Sequence, residues 1–354
     1  MATIKGTNNA ETKYGTSAID TIYEYGGNDS LYGRAGKDTI WGGFGSDKIW
    51  GETGNDLLRG ENGEDTIYGG DGNDVVYGWI GNDTLYGDAG TDTVKGDAGN
   101  DTIKGGAGIS YLCGRDGNDA LYYDPTTASI AATKDYLSSS ILDGDGGYDT
   151  LNIYNKATYT SGSTTKAAAT EIIMSSQERS GIYFENPNDT SSTVNVGGFW
   201  EIEKITVTGA GRLEFFNIGS KGIDVTGTAT NDTFTSYTSS DSMRGGAGND
   251  DFYSYGGRDT IISNTDDADR FYFSGNDTGS ATVTGFKGAG VYGGDRIYFN
   301  PDGTARNSMS MYPSTLARLL SKSQLRIATR TAITSSRSIR SAWTMAWTTF
   351  SSDF

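Results

Sequence analysis

The chain has 354 residues, of which 52 are glycine and only 35 % hydrophobic. A net charge of −17 without one histidine argues against nucleic-acid partners, whose phosphates demand Lys and Arg, and suits cation binding. The single cysteine, Cys113, excludes an intramolecular disulfide framework, and no run of about 18 apolar residues offers a membrane span.

Residues 1–14 read as an N-terminal cap. The start MATIKGTNNAETKYG lacks an apolar core, so no cleavable N-terminal signal peptide is expected. Gly6–Tyr14 (GTNNAETKY) is a degenerate repeat, with Glu11 at the Asp position and Lys13 at the aliphatic one. From Gly15 to Tyr122 a nonapeptide then recurs twelve times without a slip, in the pattern G-G-x-G-x-D-x-U-x, where U is a large aliphatic residue. Positions one to six predict a glycine turn, because glycine tolerates positive φ. Positions seven to nine predict a three-residue strand. Position eight (Ile22, Leu31, Ile40 and onward to Leu121) is never polar, so it points inward, and positions seven and nine point outward by alternation.

If two nonapeptides close one coil, residue i stacks on residue i+18, about 4.8 Å away. Position six then builds two carboxylate ladders. One holds Asp20, Asp38, Asp56, Asp74 and Asp92 and stops at Ser110, where a site shared with Asp92 should be weak or empty. The other holds Asp29, Asp47, Asp65, Asp83, Asp101 and Asp119. Like charges at 4 Å repel by roughly 4 kcal/mol at an effective dielectric of 20, so cations between coils are expected. Paired Asp oxygens with turn carbonyls suit several Ca²⁺ ions; Mg²⁺ wants a stricter octahedron, and soft metals lack ligands. The apolar core is small, so folding is expected to be coupled to metal binding.

Position nine is aromatic in eight of the twelve repeats, and alternate members such as Tyr32, Trp50, Tyr68 and Tyr86 should stack. The same ladder is a candidate platform for sugar rings. A Thr-rich position seven also fits an ice-ordering face, although Thr is simply a good strand residue.

Residues 123–226 read as a loop followed by an irregular β segment. One isolated repeat, GDGGYDTLN from Gly144, puts Asp149 at position six without an i+18 partner. A second roll with closing strands spans 227–303, with Asp232, Asp241, Asp250 and Asp259 at position six, and a one-residue slip then brings Asp269. Residues 304–354 hold no glycine and carry +6 against −23 for the rest. The stretch Ser314–Leu320 predicts a short helix, and the tail reads either as a C-terminal export signal or as an out-of-frame end.

These motifs resemble the RTX (repeats-in-toxin, haemolysin-type) family of calcium-binding proteins, whose nonapeptide is known from parallel β-helices. The resemblance covers 6–122 strongly, and 144–152 and 227–300 moderately. It implies an all-β fold, a right-handed parallel β-roll or β-helix solenoid interrupted by a β insert. It also implies Ca²⁺ between turns, export by a type I secretion apparatus, and folding outside the cell. Without histidine, neither the H-E-x-x-H zinc motif nor a Ser-His-Asp triad of enzymatic relatives exists here. The leading expectation is therefore a secreted, non-enzymatic calcium-binding protein with a structural, adhesin-like or surface-layer role, self-assembling or bound to cell-surface polysaccharide. The alternatives are a glycan-binding module using the aromatic ladders, or the repeat module of a polysaccharide-modifying enzyme, with carboxylates such as Glu171, Glu178, Glu185, Glu201 and Glu203 as acids or bases.

Overall fold

A computed structural model of the chain describes residues 1–108, 110–124, 140–155, 158–161, 164–167, 170–174, 180–186, 189–209, 211–264, 267–274, 280–286, 294–300 and 324–328. Among these residues there are strands and no helix, and most strands pair in parallel, forming a β-solenoid. The chain divides into two compact units, Met1–Thr170 with Arg179–Gly209 and Glu171–Glu178 with Ala210–Phe354.

The first unit winds between two parallel faces. One stacks Ala2–Lys5, Asp20–Tyr23, Thr39–Phe44, Leu57–Asn62, Val75–Ile80, Thr93–Ala98 and Tyr111–Asp116 in that order. The other stacks Thr12–Tyr14, Ser30–Tyr32, Lys48–Thr53, Thr66–Asp71, Thr84–Gly90, Thr102–Lys104 and Ala120–Tyr123. The register is i to i+18, as in Ile40 with Leu58 and Leu31 with Ile49. All twelve position-eight residues from Ile22 to Leu121 are 0 % exposed, so the inner column is wholly aliphatic.

The strands are longer than the expected three residues. Several run six, from position seven through position three of the next repeat, because Gly43 pairs with Glu61 and Phe44 with Asn62 beyond the glycine. The turn is thereby confined to positions four to six.

Glycine is also used differently from expectation. Position two has positive φ, yet Arg34, Glu52, Glu61, Trp79, Asp88, Asp97 and Arg115 occupy it at +68° to +82°. The left-handed conformation costs an L-residue about 1–2 kcal/mol, a strain the stacked coils hold in place. Position four is the true glycine position. From Gly36 to Gly117 it sits at +126° to +150°, and a Cβ on Gly45 would overlap the Gly27 carbonyl one coil below.

The roll does not end at Tyr122. Leu112 pairs with Leu142 and Leu121 with Leu151, thirty residues apart instead of eighteen. One coil therefore takes twelve extra residues and the ladder resumes in phase. The repeat at Gly144 has a partner that its sequence spacing concealed. Beyond it, Thr150–Asn155 pairs in parallel with Lys204–Gly209, while Thr158–Ser161 with Thr164–Ala167, and Ser180–Asn186 with Asp189–Trp200, are antiparallel additions.

In the second unit one face stacks Leu213–Asn217, Thr233–Ser236, Asp251–Ser254, Arg270–Ser274 and Arg296–Asn300. The other stacks Asp224–Thr226, Ser242–Arg244, Arg258–Ile262 and Ser280–Thr284, with Gln324–Ala328 added antiparallel. Phe252 pairs with Phe271 nineteen residues on, as the one-residue slip requires. The inner column of the first face is aromatic (Phe215, Phe234, Phe252, Phe271), each 0 % exposed. The expected helix at Ser314–Leu320 and the rest of the tail, apart from Gln324–Ala328, lie outside the described residues.

Candidate metal-binding ladders

The position-six aspartates form two continuous rows in the first unit. In each row the backbone N–H of one Asp donates to Oδ1 of the Asp one coil on. Asp20 donates to Asp38, Asp38 to Asp56, Asp56 to Asp74 and Asp74 to Asp92, at 2.7–2.9 Å. Asp29, Asp47, Asp65, Asp83, Asp101, Asp119 and Asp149 follow one another in the same way at 2.7–2.8 Å. Asp149 then donates to Glu203, which extends the row by a rung.

Ser110 stands at the row position after Asp92, and Ile141 N donates to its carbonyl as Tyr111 N does to that of Asp92. The next rung is therefore Ser140, so the two rungs after Asp92 in the first row carry no carboxylate.

The other carboxylate oxygen decides the chemistry. Oδ2 of Asp29, Asp38, Asp47, Asp56, Asp65, Asp74, Asp83, Asp92, Asp101 and Asp119 is buried without a hydrogen-bond donor. A buried carboxylate oxygen left unpaired costs several kcal/mol unless a proton or a cation meets it. Burial, first of all, pushes these groups up. Asp47 and Asp119 reach about 6, and Asp56, Asp65, Asp83, Asp92 and Asp101 about 7, with neighbouring carboxylates adding to the rise.

Position one explains how the space is kept. A Cβ on Gly33 would stand 2.9 Å from Asp38 Oδ2 and 2.9 Å from the carbonyl oxygen of Gly51. Glycine there leaves a cradle shared by a carboxylate and a carbonyl of the next coil. Among the described residues no three acidic, thiol or imidazole side chains converge on one point. A cation between coils would therefore complete its shell with backbone carbonyls, an all-oxygen set that fits Ca²⁺.

A sequence profile described as the RTX calcium-binding nonapeptide repeat (4 copies) matches residues 14–49, 25–58, 50–85, 59–94, 95–124 and 226–261. The chain carries RTX calcium-binding repeats. No curated protein matches it. The RTX repeats thus coincide with the coils that hold the unpaired Oδ2 atoms, and with part of the second unit.

There the rows differ. Leu213 N donates to Asp232, Asp232 to Asp250, Asp250 to Asp269 and Asp269 to Asp295 at 2.7–2.9 Å. Ile223 N donates to Asp241 and Asp241 to Asp259 at 2.9 and 3.0 Å. Only Asp250 among these keeps a buried Oδ2 without a donor, and burial pushes it up to about 8. Asp295 and Glu203 were missed as row members. The signal for Asp295 was a full nonapeptide, GVYGGDRIY, with Gly290 at position one and Gly293 at position four but out of phase with the preceding repeats. Glu203 has Gly198 at position one, but Glu201 at position four and Glu in place of Asp at position six. Glu24 was also missed. It stands where glycine opens the other repeats, both its carboxylate oxygens are buried without a donor, and burial with the nearby Asp29 raises it to about 7.

The outer aromatic column is continuous on one face. Tyr14, Tyr32, Trp50, Tyr68 and Tyr86 stack with centroids 4.5–5.8 Å apart and planes within 15°, and Lys104 lies over both Tyr86 and Tyr122. On the other face Tyr23 stacks on Trp41 and Arg59 bridges Trp41 and Tyr77. The non-aromatic position-nine residues Arg59, Lys95 and Lys104 thus continue the stack as cations over rings.

Proposed function

We propose that the chain is an extracellular, non-catalytic calcium-binding scaffold that folds as Ca²⁺ loads its carboxylate rows. The observation that supports this best is the run of buried Oδ2 atoms without a donor, in register in every repeat from Asp29 to Asp119 except the one that carries Ser110. The ligands assigned are Asp38, Asp56, Asp74 and Asp92 in one row, and Asp29, Asp47, Asp65, Asp83, Asp101, Asp119 and Asp149 in the other, with Asp250 in the second unit. Asp20 differs: burial raises it, but donors from Thr16 and Ala2 outweigh burial and hold it below the ordinary carboxyl value.

Cytosolic calcium is too low to load such rows, so the first roll stays unfolded for export and folds outside. RTX repeats are typical of secreted proteins, in keeping with export by a type I apparatus and a surface or assembly role. The sequence has no histidine for the usual acid–base work. The aromatic columns serve packing in this reading, because their ring faces lie against one another and not against solvent.

Calcium titration followed by circular dichroism tests the proposal. The β signal should rise with bound calcium and with none of the gain from equal Mg²⁺. Equal β content in chelator and in calcium would refute it.

A further inference from the structure

The carboxylates of this fold are closed in two ways, and the residue at position one or two of each repeat chooses between them. Where position one is glycine and position two lacks a hydroxyl, the Asp Oδ2 has no donor, as at Gly33 and Asp38 or Gly245 and Asp250. Where a serine or threonine stands at either position, its hydroxyl donates to that same oxygen. Ser236 Oγ donates to Asp241 Oδ2 at 2.5 Å and lies 3.4 Å from Asp259 Oδ1, between successive carboxylates of the row. Ser254 Oγ donates to Asp259 Oδ2 at 2.5 Å. Ser263, which the one-residue slip sets six and not five residues before its Asp, takes the place of position one and donates Oγ to Asp269 Oδ2 at 2.6 Å.

The opening repeat of each roll uses position two instead. Thr16 donates through N and Oγ1 to Asp20 Oδ2 at 2.5 and 2.7 Å. Thr228 does the same to Asp232 Oδ2 at 2.6 and 3.1 Å. The serines belong to a buried column in which Asn217 pairs with Ser236 and Ser236 with Ser254. Asn217 Nδ2 and Ser239 Oγ bring two more donors to Asp241, at 2.8 and 2.9 Å. With Ile223 N on Oδ1, both oxygens of Asp241 have two donors each. A cation would have to displace hydroxyls that already satisfy the carboxylate and that fill the glycine cradle.

We infer that a hydroxyl at position one or two is a calcium substitute: Asp241, Asp259 and Asp269 bind no calcium, and Ser236, Ser254 and Ser263 decide this. The inference rests on the reading that open carboxylates bind calcium. It departs from the sequence-based expectation for Asp241 and Asp259, whose repeats carry serine in place of the position-one glycine.

The test uses the full chain and counts bound calcium at saturation by native mass spectrometry, with melting followed in calcium and in chelator. The pair S236G/S254G reopens the cradle, whereas S236A/S254A removes the hydroxyl but keeps a Cβ in it. The glycine pair should bind at least one calcium more than wild type and melt lower in chelator, with recovery in calcium. The alanine pair should melt lower in both and gain no ion. Gly33→Ser, at a less crowded cradle, should lose calcium relative to wild type and decides the matter if the glycine pair does not fold. Unchanged counts in the folded glycine pair, or in Gly33→Ser, would overturn the inference while calcium binding by wild type stands. A wild type that binds no calcium overturns the underlying reading and the inference with it.

Discussion

The first unit leaves its aspartates open, and the second mostly ties them up. Both use the same trick for Oδ1, a backbone N–H from the previous coil, so the two rolls share a skeleton. They part at Oδ2. Ten such oxygens from Asp29 to Asp119 lack a donor in the first unit, whereas serine and threonine hydroxyls reach most of those in the second. The inner columns differ as well, aliphatic from Ile22 to Leu121 and aromatic from Phe215 to Phe271 on one face of the second unit. One fold can thus be held by added cations around a thin core, or by internal hydroxyls around a bulkier one.

Calcium removal should separate the units most sharply. At free calcium a hundred times Kd, each site adds about 2.7 kcal/mol, so a few sites together match the roughly 5–15 kcal/mol by which a domain is stable. Hydrogen exchange in chelator should show amide protection lost across 15–122 and retained in 227–262. Equal loss in both regions would erase the distinction.

Acid should do part of what calcium does. The folded carboxyls of Asp56, Asp65, Asp83, Asp92 and Asp101 keep protons to about pH 7, while unfolded ones release them near pH 4. Between those values the folded state binds more protons, so the calcium-free roll gains stability as pH falls from 8 to 5 and loses it as pH rises. Calcium affinity should move the opposite way. Circular dichroism in chelator across this range checks the sign, and a β signal that weakens toward pH 5 would contradict it.

Core truncation has a smaller effect. Leu58→Ala removes a fully buried rung of the aliphatic column and should cost about 2–5 kcal/mol, so that more calcium is needed to fold the first unit. Phe252→Ala should cost about 3–5 kcal/mol with little change in the calcium midpoint. Chemical denaturation at two calcium concentrations distinguishes these. The least effect belongs to the outer stack. Tyr68→Ala, between Trp50 and Tyr86, should lower stability by about 0.5–1.5 kcal/mol beyond the lost area, measured by the same melts. No change at all would mean the stack is only ornamental to folding.

Much of this was legible in the sequence because the repeat is strict. A period of nine with Asp at position six and an aliphatic at position eight dictates a coil of eighteen, an inner column and two carboxylate rows. Side chains with one spacing in a parallel ladder have nowhere else to go. Three things required the tertiary structure. The coil at Leu112–Leu142 absorbs twelve residues without losing phase, which no local period reveals, because register is set by pairing across coils and not by chain length. Six-residue strands arise because positions two and three also pair, an energy supplied by the neighbouring coil. The state of each carboxylate depends on a hydroxyl four to six residues away that folding brings onto Oδ2. The sequence determined where the carboxylates stand; only the folded geometry decided which of them are already satisfied, because a hydrogen bond depends on distance in space and the repeat records only distance along the chain.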